Sequence, residues 1–209
     1  ALFCIKTKKY QEFFLHYLFI DTETTGLNPK QHGLIQIAGI IEKNNVQVSS
    51  FNFNVKPFFE DKIDEQALQV NKVSFKDLEE FPLPQEVFLK MKRIFDSFKG
   101  LKKMHFLAYN AKFDWDFVSE FFYKSAKIPL TEYCYFPPID IMSLAAEALK
   151  EKRHTLNNFK LLSVAKALNV KVKENLLHDA LYDTQIAQEI YHKITQKTNT
   201  QPTNEKLKP

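Results

Sequence analysis

Apolar positions along this chain recur at two spacings, and the alternation between them sets out the elements. An aromatic and β-branched run from Tyr17 to Ile20 leads into Asp21-Thr22-Glu23 and then meets Gly26, Asn28 and Pro29, which predicts a strand closed by a turn. A second apolar run, Leu34 to Ile41, passes through Asn44-Asn45 into Val46 to Val55. There Phe51, Phe53 and Val55 alternate with Asn52 and Asn54, the pattern of a hairpin with a half-buried partner strand. From Pro84 the spacing changes: Val87, Phe88, Met91, Ile94, Phe95 and Phe98 recur at three and four residues, and Gly100 follows, as in an amphipathic helix. A short run from His105 to Tyr109 predicts a fourth strand, handing over to a helix through Asp114, Phe117, Val118 and Phe121. Ile139 to Leu149, Leu156 to Leu168 and Ala180 to Ile194 fit further helices. Three successive strands, then helices interleaved with at least one more strand, predict an α/β fold with a mixed central sheet flanked by helices.

At 209 residues the chain fits one domain with appendages, too small for a complete polymerase. Apolar residues at 44% and charged residues at 26% are ordinary globular proportions, so a core is expected. The formal charge of +4 sits at the ends: residues 1–18 carry +2, residues 195–209 carry +2, and the middle is neutral with 23 bases and 23 acids. An amino-terminal extension over 1–18, one domain over 19–194 and a polar, disordered tail over 195–209 are therefore expected. Cys4 and Cys134 offer neither a disulfide framework nor a Cys-x-x-Cys knuckle, which points to a reducing compartment, with cytoplasm the default. No apolar run reaches the ~18 residues of a membrane span, and no secretory cleavage pattern is visible, so no membrane partner is expected.

The chemistry lies in a few acids. Asp21 and Glu23 are two apart on a predicted strand, so both leave the same face, an arrangement that repels unless a cation lies between them. The same Asp-x-Glu spacing recurs at Asp77 and Glu79 within a polar stretch, where a solvated face accounts for it. Asp21 differs because it ends a hydrophobic strand, where an unpartnered acid is costly. Asp114 lies where the fourth strand meets its helix; an acid in a first helical turn is also favourable for the helix dipole. In His178-Asp179-Ala180-Leu181-Tyr182-Asp183, Asp183 shares a helical face with Ala180 and Ala187, so an acid faces inward along a small-residue surface that can approach the sheet closely. His178 falls in the preceding loop or first turn, within reach of the same place. Spacing alone does not establish this, since His16 and Asp21 are also five apart.

Phe-Ile-Asp-Thr-Glu-Thr-Thr-Gly-Leu at 19–27, Asn-Ala-Lys-Phe-Asp at 110–114 and His-Asp-Ala-Leu-Tyr-Asp at 178–183 resemble the three ordered motifs of the DEDDh 3'-to-5' exonucleases, a family that includes the proofreading epsilon subunit of bacterial DNA polymerase III. The resemblance spans about 19 to 194 and implies a ribonuclease H-like fold. It further implies that Asp21, Glu23, Asp114 and Asp183 hold two divalent cations, Mg²⁺ or Mn²⁺, with His178 as general base. The backbone at Thr24 and Thr25 would hold the terminal nucleotide, Leu27 would wedge against its base, and Asn110 would bond near the scissile group. For Leu27, ordinary packing after a turn is an equal alternative. Where the family often has His before the Asn of its second motif, this chain has Tyr109.

Phosphodiester hydrolysis needs an activated water, neutralised phosphate charge and a stabilised leaving oxygen, and two metals about 4 Å apart serve all three. Hard carboxylate oxygens suit Mg²⁺ and Mn²⁺, and an imidazole titrating near 6.5 can accept the water's proton; four nearby carboxylates raise it, so activity is expected to climb into mildly alkaline conditions. The expected partners are 3' ends of single-stranded nucleic acid, DNA first, and a DNA polymerase tethered through the appended ends. The alternatives are a 3'-to-5' exoribonuclease of the same superfamily and a catalytically silent binding or polymerase-docking module. Two divalent cations would formally neutralise the four acids and leave the middle at about +4, so metal is expected to govern affinity for the polyanion as well as chemistry.

Overall fold

The structure, a computed structural model, describes residues 15–98 and 103–199. Most of the expected amino-terminal extension, with Cys4, and residues 200–209 of the expected tail lie outside the described residues. Five strands form one sheet in the order β3-β2-β1-β4-β5, from β1 (His16–Thr24), β2 (Leu34–Lys43), β3 (Val46–Asn54), β4 (Met104–Ala108) and β5 (Cys134–Asp140). β2 is antiparallel to both of its neighbours, β1 and β3, and β4 and β5 continue the sheet parallel to β1. Asn44 and Asn45 both have positive φ, 51° and 63°, which lets the β2–β3 turn twist with its strands.

The centre of the sheet is buried on both faces, so Leu18, Phe19 and Ile20 form an unbroken buried run. On one face Leu18, Ile20, Ile37 and Phe106 pack against α3 (Pro84–Phe98) and α4 (Ala111–Ala126), where Phe95 and Phe122 stack at 5.5 Å. On the other, Phe19, Ile40 and Leu107 pack against α5 (Ile141–Ala148), α6 (Leu161–Ala167) and α7 (Ala180–Asn199). The mixed sheet between helical layers is the expected α/β architecture.

Several boundaries depart from the periodicity. Two short helices, α1 (Glu65–Asn71) and α2 (Phe75–Glu80), occupy the polar stretch after β3; their caps Asp64 and Ser74 form them where apolar spacing gives little signal. Asp77 closes the capping box with Ser74, and both it and Glu79 are exposed, so the second Asp-x-Glu is a solvated face. Strand β5 was not anticipated: it contains Pro137 and Pro138, which a sheet tolerates at an edge. It takes in Ile139 and Asp140, so α5 begins only at Ile141. The helix expected from Leu156 begins at Leu161, because Asn158 Oδ1 accepts from Lys160 N (3.1 Å) and Ser163 Oγ (2.7 Å) and turns the chain before it. Helix α7 runs to Asn199, so residues 195–199 of the expected tail are helical. Among the described residues no helix is long and apolar enough to cross a membrane.

Candidate active site

The carboxyl ends of β1 and β4 lie side by side because the strands are parallel, with Phe19 beside Leu107. Asp21 and Glu23 alternate with Thr22 and Thr24 along β1, which puts both acids on the face covered by α7. Thr22, on the other face, donates its hydroxyl to Asp114 Oδ1 at 2.8 Å, fixing the buried first-turn acid of α4. From α7, Asp183 points inward between Ala180 and Ala187, all three buried. His178 is exposed in the left-handed region (φ 67°), and its N–H donates to Asp183 Oδ2 at 3.2 Å.

Glu23, His178 and Asp183 each present a ligand atom within 4.8 Å of the other two. Asp21 and Asp114 complete the group at charge-interaction range. Burial pushes Asp21 well above its usual range, and repulsion from Asp114, Glu23 and Asp183 pushes it further. Burial, then Asp183 and Asp114, raise Glu23 to about 8. Asp114 rises to about 7 through burial, opposed by the Thr22 hydroxyl, and Asp183 rises for the same reason, opposed by the His178 N–H. Four acids that destabilise one another's charge, with Asp183 Oδ1 buried and unpartnered, form a donor set that a hard divalent cation fits.

Beside these acids lies a cleft of about 310 Å³ lined in part by Glu23, Leu27, Val70 and Phe113, at the lower end of the volumes that hold small molecules. Leu27 is 84% exposed at its edge, which excludes packing after a turn. The loop carrying it is internally bonded. Thr24 Oγ1 donates to Gly26 O (2.7 Å), and Thr25 Oγ1 donates to Lys62 O (2.6 Å) while accepting from Gly33 N (2.9 Å). Since Thr25 N also donates to Gly33 O (2.9 Å), Thr25 shapes the loop and has no backbone donor left for a nucleotide. Gly26 is required by close approach: a Cβ there would lie 2.4 Å from His32 Cδ2. Asn110, exposed and left-handed (φ 67°), starts α4 but does not line the cleft.

Tyr109 stands directly before Asn110 and bonds away from the acids. Its hydroxyl donates to Phe159 O at 2.7 Å and ties the end of β4 to the segment before α6. Three residues carry bonds near the site although the motifs assign them no role. Asp140 at the end of β5 accepts N–H groups from the starts of both α4 and α5. Asp179 caps α7, accepting from Tyr182 N at 2.9 Å. Gln36 on β2 bonds Asp179 and Ala180. An N-cap acid before an apolar run was a signal for Asp140, and a lone polar residue in Leu34 to Ile41 was one for Gln36.

The family model RNase_T, described as an exonuclease, matches residues 18–191. Ribonuclease T of Buchnera aphidicola subsp. Baizongia pistaciae is 25% identical over 92% of this chain and 88% of its own length. DNA polymerase III subunit epsilon of Salmonella typhimurium is 28% identical over 85% of this chain and 70% of its own. Among solved structures, the zinc-bound E. coli exonuclease I complex with single-stranded DNA superposes with a TM-score of 0.73 at 20% identity, over 89% of this chain. Exonuclease I of Methylocaldum szegediense gives 0.72 at 17% identity, also over 89% of this chain. This chain spans only 41% of either exonuclease I, and that likeness concerns the fold.

Proposed function

This chain belongs to the RNase_T exonuclease family, 3'-to-5' exonucleases of the DEDD type, and we propose that it releases nucleoside monophosphates from the 3' ends of single-stranded DNA. The observation that carries the assignment of residues is the convergence of Glu23, His178 and Asp183 within 4.8 Å, with Asp21 near enough to Glu23, Asp114 and Asp183 to feel their charge. In this reading Asp21, Glu23, Asp114 and Asp183 hold two divalent cations, Mg²⁺ or Mn²⁺, consistent with the divalent metal use that the family implies. The bound cations supply Lewis-acid charge at the scissile phosphate and lower the pKa of water.

The chain's own residues supply the rest. His178, exposed on its loop and tied to Asp183 through its backbone N–H, offers an imidazole nitrogen to the proton of the attacking water. Leu27, Val70 and Phe113 offer apolar surface to the terminal base, and apolar contact tolerates any base. Thr24 and Thr25 hold the wedge in place through bonds within the loop. Asn110, exposed at the start of α4, would in this reading bond near the scissile group. A 3'-to-5' exoribonuclease is the second reading, and the match over nearly all of ribonuclease T supports it. Proofreading within a polymerase assembly is the corresponding proposal from the epsilon relative.

Matched 3'-labelled DNA and RNA oligomers, each incubated with Mg²⁺, Mn²⁺ or EDTA, test both readings. Stepwise mononucleotide release from DNA with metal and none in EDTA is expected. Faster release from RNA would replace the first reading with the second, and no metal-dependent release from either would refute both.

A further inference from the structure

Gln36 interrupts a strand that is otherwise apolar from Leu34 to Ile41, and the β1–β2 register sets it beside Glu23. Its carboxamide makes three hydrogen bonds, using both donors and its oxygen. Nε2 donates to Asn52 Oδ1 on β3 (3.1 Å) and to Asp179 Oδ2 (3.2 Å), and Oε1 accepts from Ala180 N (3.2 Å). The Ala180 N–H at the start of α7 can only donate, which fixes which end of the amide faces the helix.

We propose that Gln36 is a positioning residue: its amide bonds the two residues that follow His178 to the sheet and thereby sets where the His178 imidazole stands relative to Asp183. His178 is in the left-handed region, sterically disfavoured for a residue with a Cβ, and its backbone is held on both sides: its own N–H by Asp183 Oδ2, and its carboxyl side by the bonds of the next two residues. The holding groups are the Asp179 carboxylate, which also accepts Tyr182 N, and the Ala180 N–H; Gln36 bonds both. Glutamine supplies a donor and an acceptor at every pH. An ionised glutamate here could accept from Ala180 N but would present an oxygen to Asp179 Oδ2, turning an attraction at 3.2 Å into a repulsion. A leucine would leave the Ala180 N–H and the Asp179 oxygen without these partners.

The inference rests on the reading of His178 as general base, and the test separates the two. Gln36→Glu and Gln36→Leu are compared with wild type in kcat, KM and, in the metal-free protein, hydrogen exchange at the Ala180 amide. Expected are a kcat lower by about 10- to 100-fold with KM within about twofold, the size that a misplacement near 1 Å produces, and Ala180 exchange faster by at least tenfold. In a His178→Ala background, Gln36→Glu is expected to lower kcat by less than twofold, because the group it positions is gone. Wild-type kcat with unchanged exchange in both variants overturns the inference, as does a full, multiplicative loss on top of His178→Ala. If His178→Ala itself retains wild-type kcat, the base assignment fails; accelerated Ala180 exchange in Gln36→Leu would then still uphold the clasp on the loop, and unchanged exchange would overturn it.

Discussion

Replacing Asp140 by Ala removes one carboxylate that starts two helices. Oδ1 accepts from Asn110 N (3.0 Å), Ala111 N (3.2 Å) and Met142 N (3.2 Å), while Oδ2 accepts from Ser143 N (3.2 Å) and Ser143 Oγ (2.5 Å). Loss of the α5 cap is worth about 1 kcal/mol. At α4 the exposed Asn110 N–H returns to water, but Ala111 is fully buried, and a buried donor left unpaired costs about 1–3 kcal/mol. The total is about 2–4 kcal/mol, which for a chain of this size lowers Tm by roughly 4–16 °C. Urea titration and thermal melting followed by circular dichroism in EDTA measure it without interference from metal. Asp140→Asn, which caps well but has one carbonyl acceptor where the carboxylate has two oxygens, should serve one helix and lose about half as much. A loss under 1 kcal/mol in Asp140→Ala would refute the idea that this carboxylate joins the two helix starts. Exonuclease rate should also fall, because Asp114 lies in the first turn of α4.

Asp21→Ala and Asp183→Ala should abolish turnover and Mn²⁺ binding in a paramagnetic titration, whereas His178→Ala should slow turnover with most Mn²⁺ affinity kept. The metal-free protein should lose stability as pH rises. Glu23 and Asp114 have folded-state values raised to about 8 and about 7, so their contribution is full below the ordinary carboxylate range and disappears as pH passes through 7 to 8. A Tm in EDTA that falls between pH 5 and 8.5, and falls less in Glu23→Gln, is the expected result; no difference between the two proteins would count against it. Gly26→Ala should raise KM more than it lowers kcat, since its Cβ meets the His32 ring and shifts the loop that carries Leu27. Affinity for a single-stranded oligomer should drop when metal is chelated, as fluorescence anisotropy would show, and EDTA-independent binding would contradict the charge argument.

The helices with a wide apolar stripe were legible because burial on one side leaves a periodic record: α3 begins and ends where the spacing of Val87 to Phe98 places it. The β2–β3 hairpin was legible because its turn needs residues that tolerate positive φ, and Asn44-Asn45 supply them. Edge strand β5 was not, since Tyr135 and Phe136 are exposed and two prolines follow, leaving neither alternation nor an apolar run. The short α1 and α2 are made by caps and single buried anchors, Leu68 and Leu78, too little for a period to register.

The acids divide in the same way. The sequence alone determined which carboxylates stand out, because an acid ending a buried strand, or facing inward beside alanines, contradicts its surroundings, and three such motifs occur in order. Only the tertiary structure decided that Glu23, His178 and Asp183 meet within 4.8 Å, that Thr25 shapes its loop, that Gln36 bonds Asp179, and that Asp140 accepts from the start of α4. The physical reason is reach. Burial is recorded in each residue's own chemistry and spacing, but the hydrogen bonds from Gln36 to Asp179 and from Asn110 to Asp140 join residues 143 and 30 positions apart. Their geometry exists only once the sheet has brought those residues together.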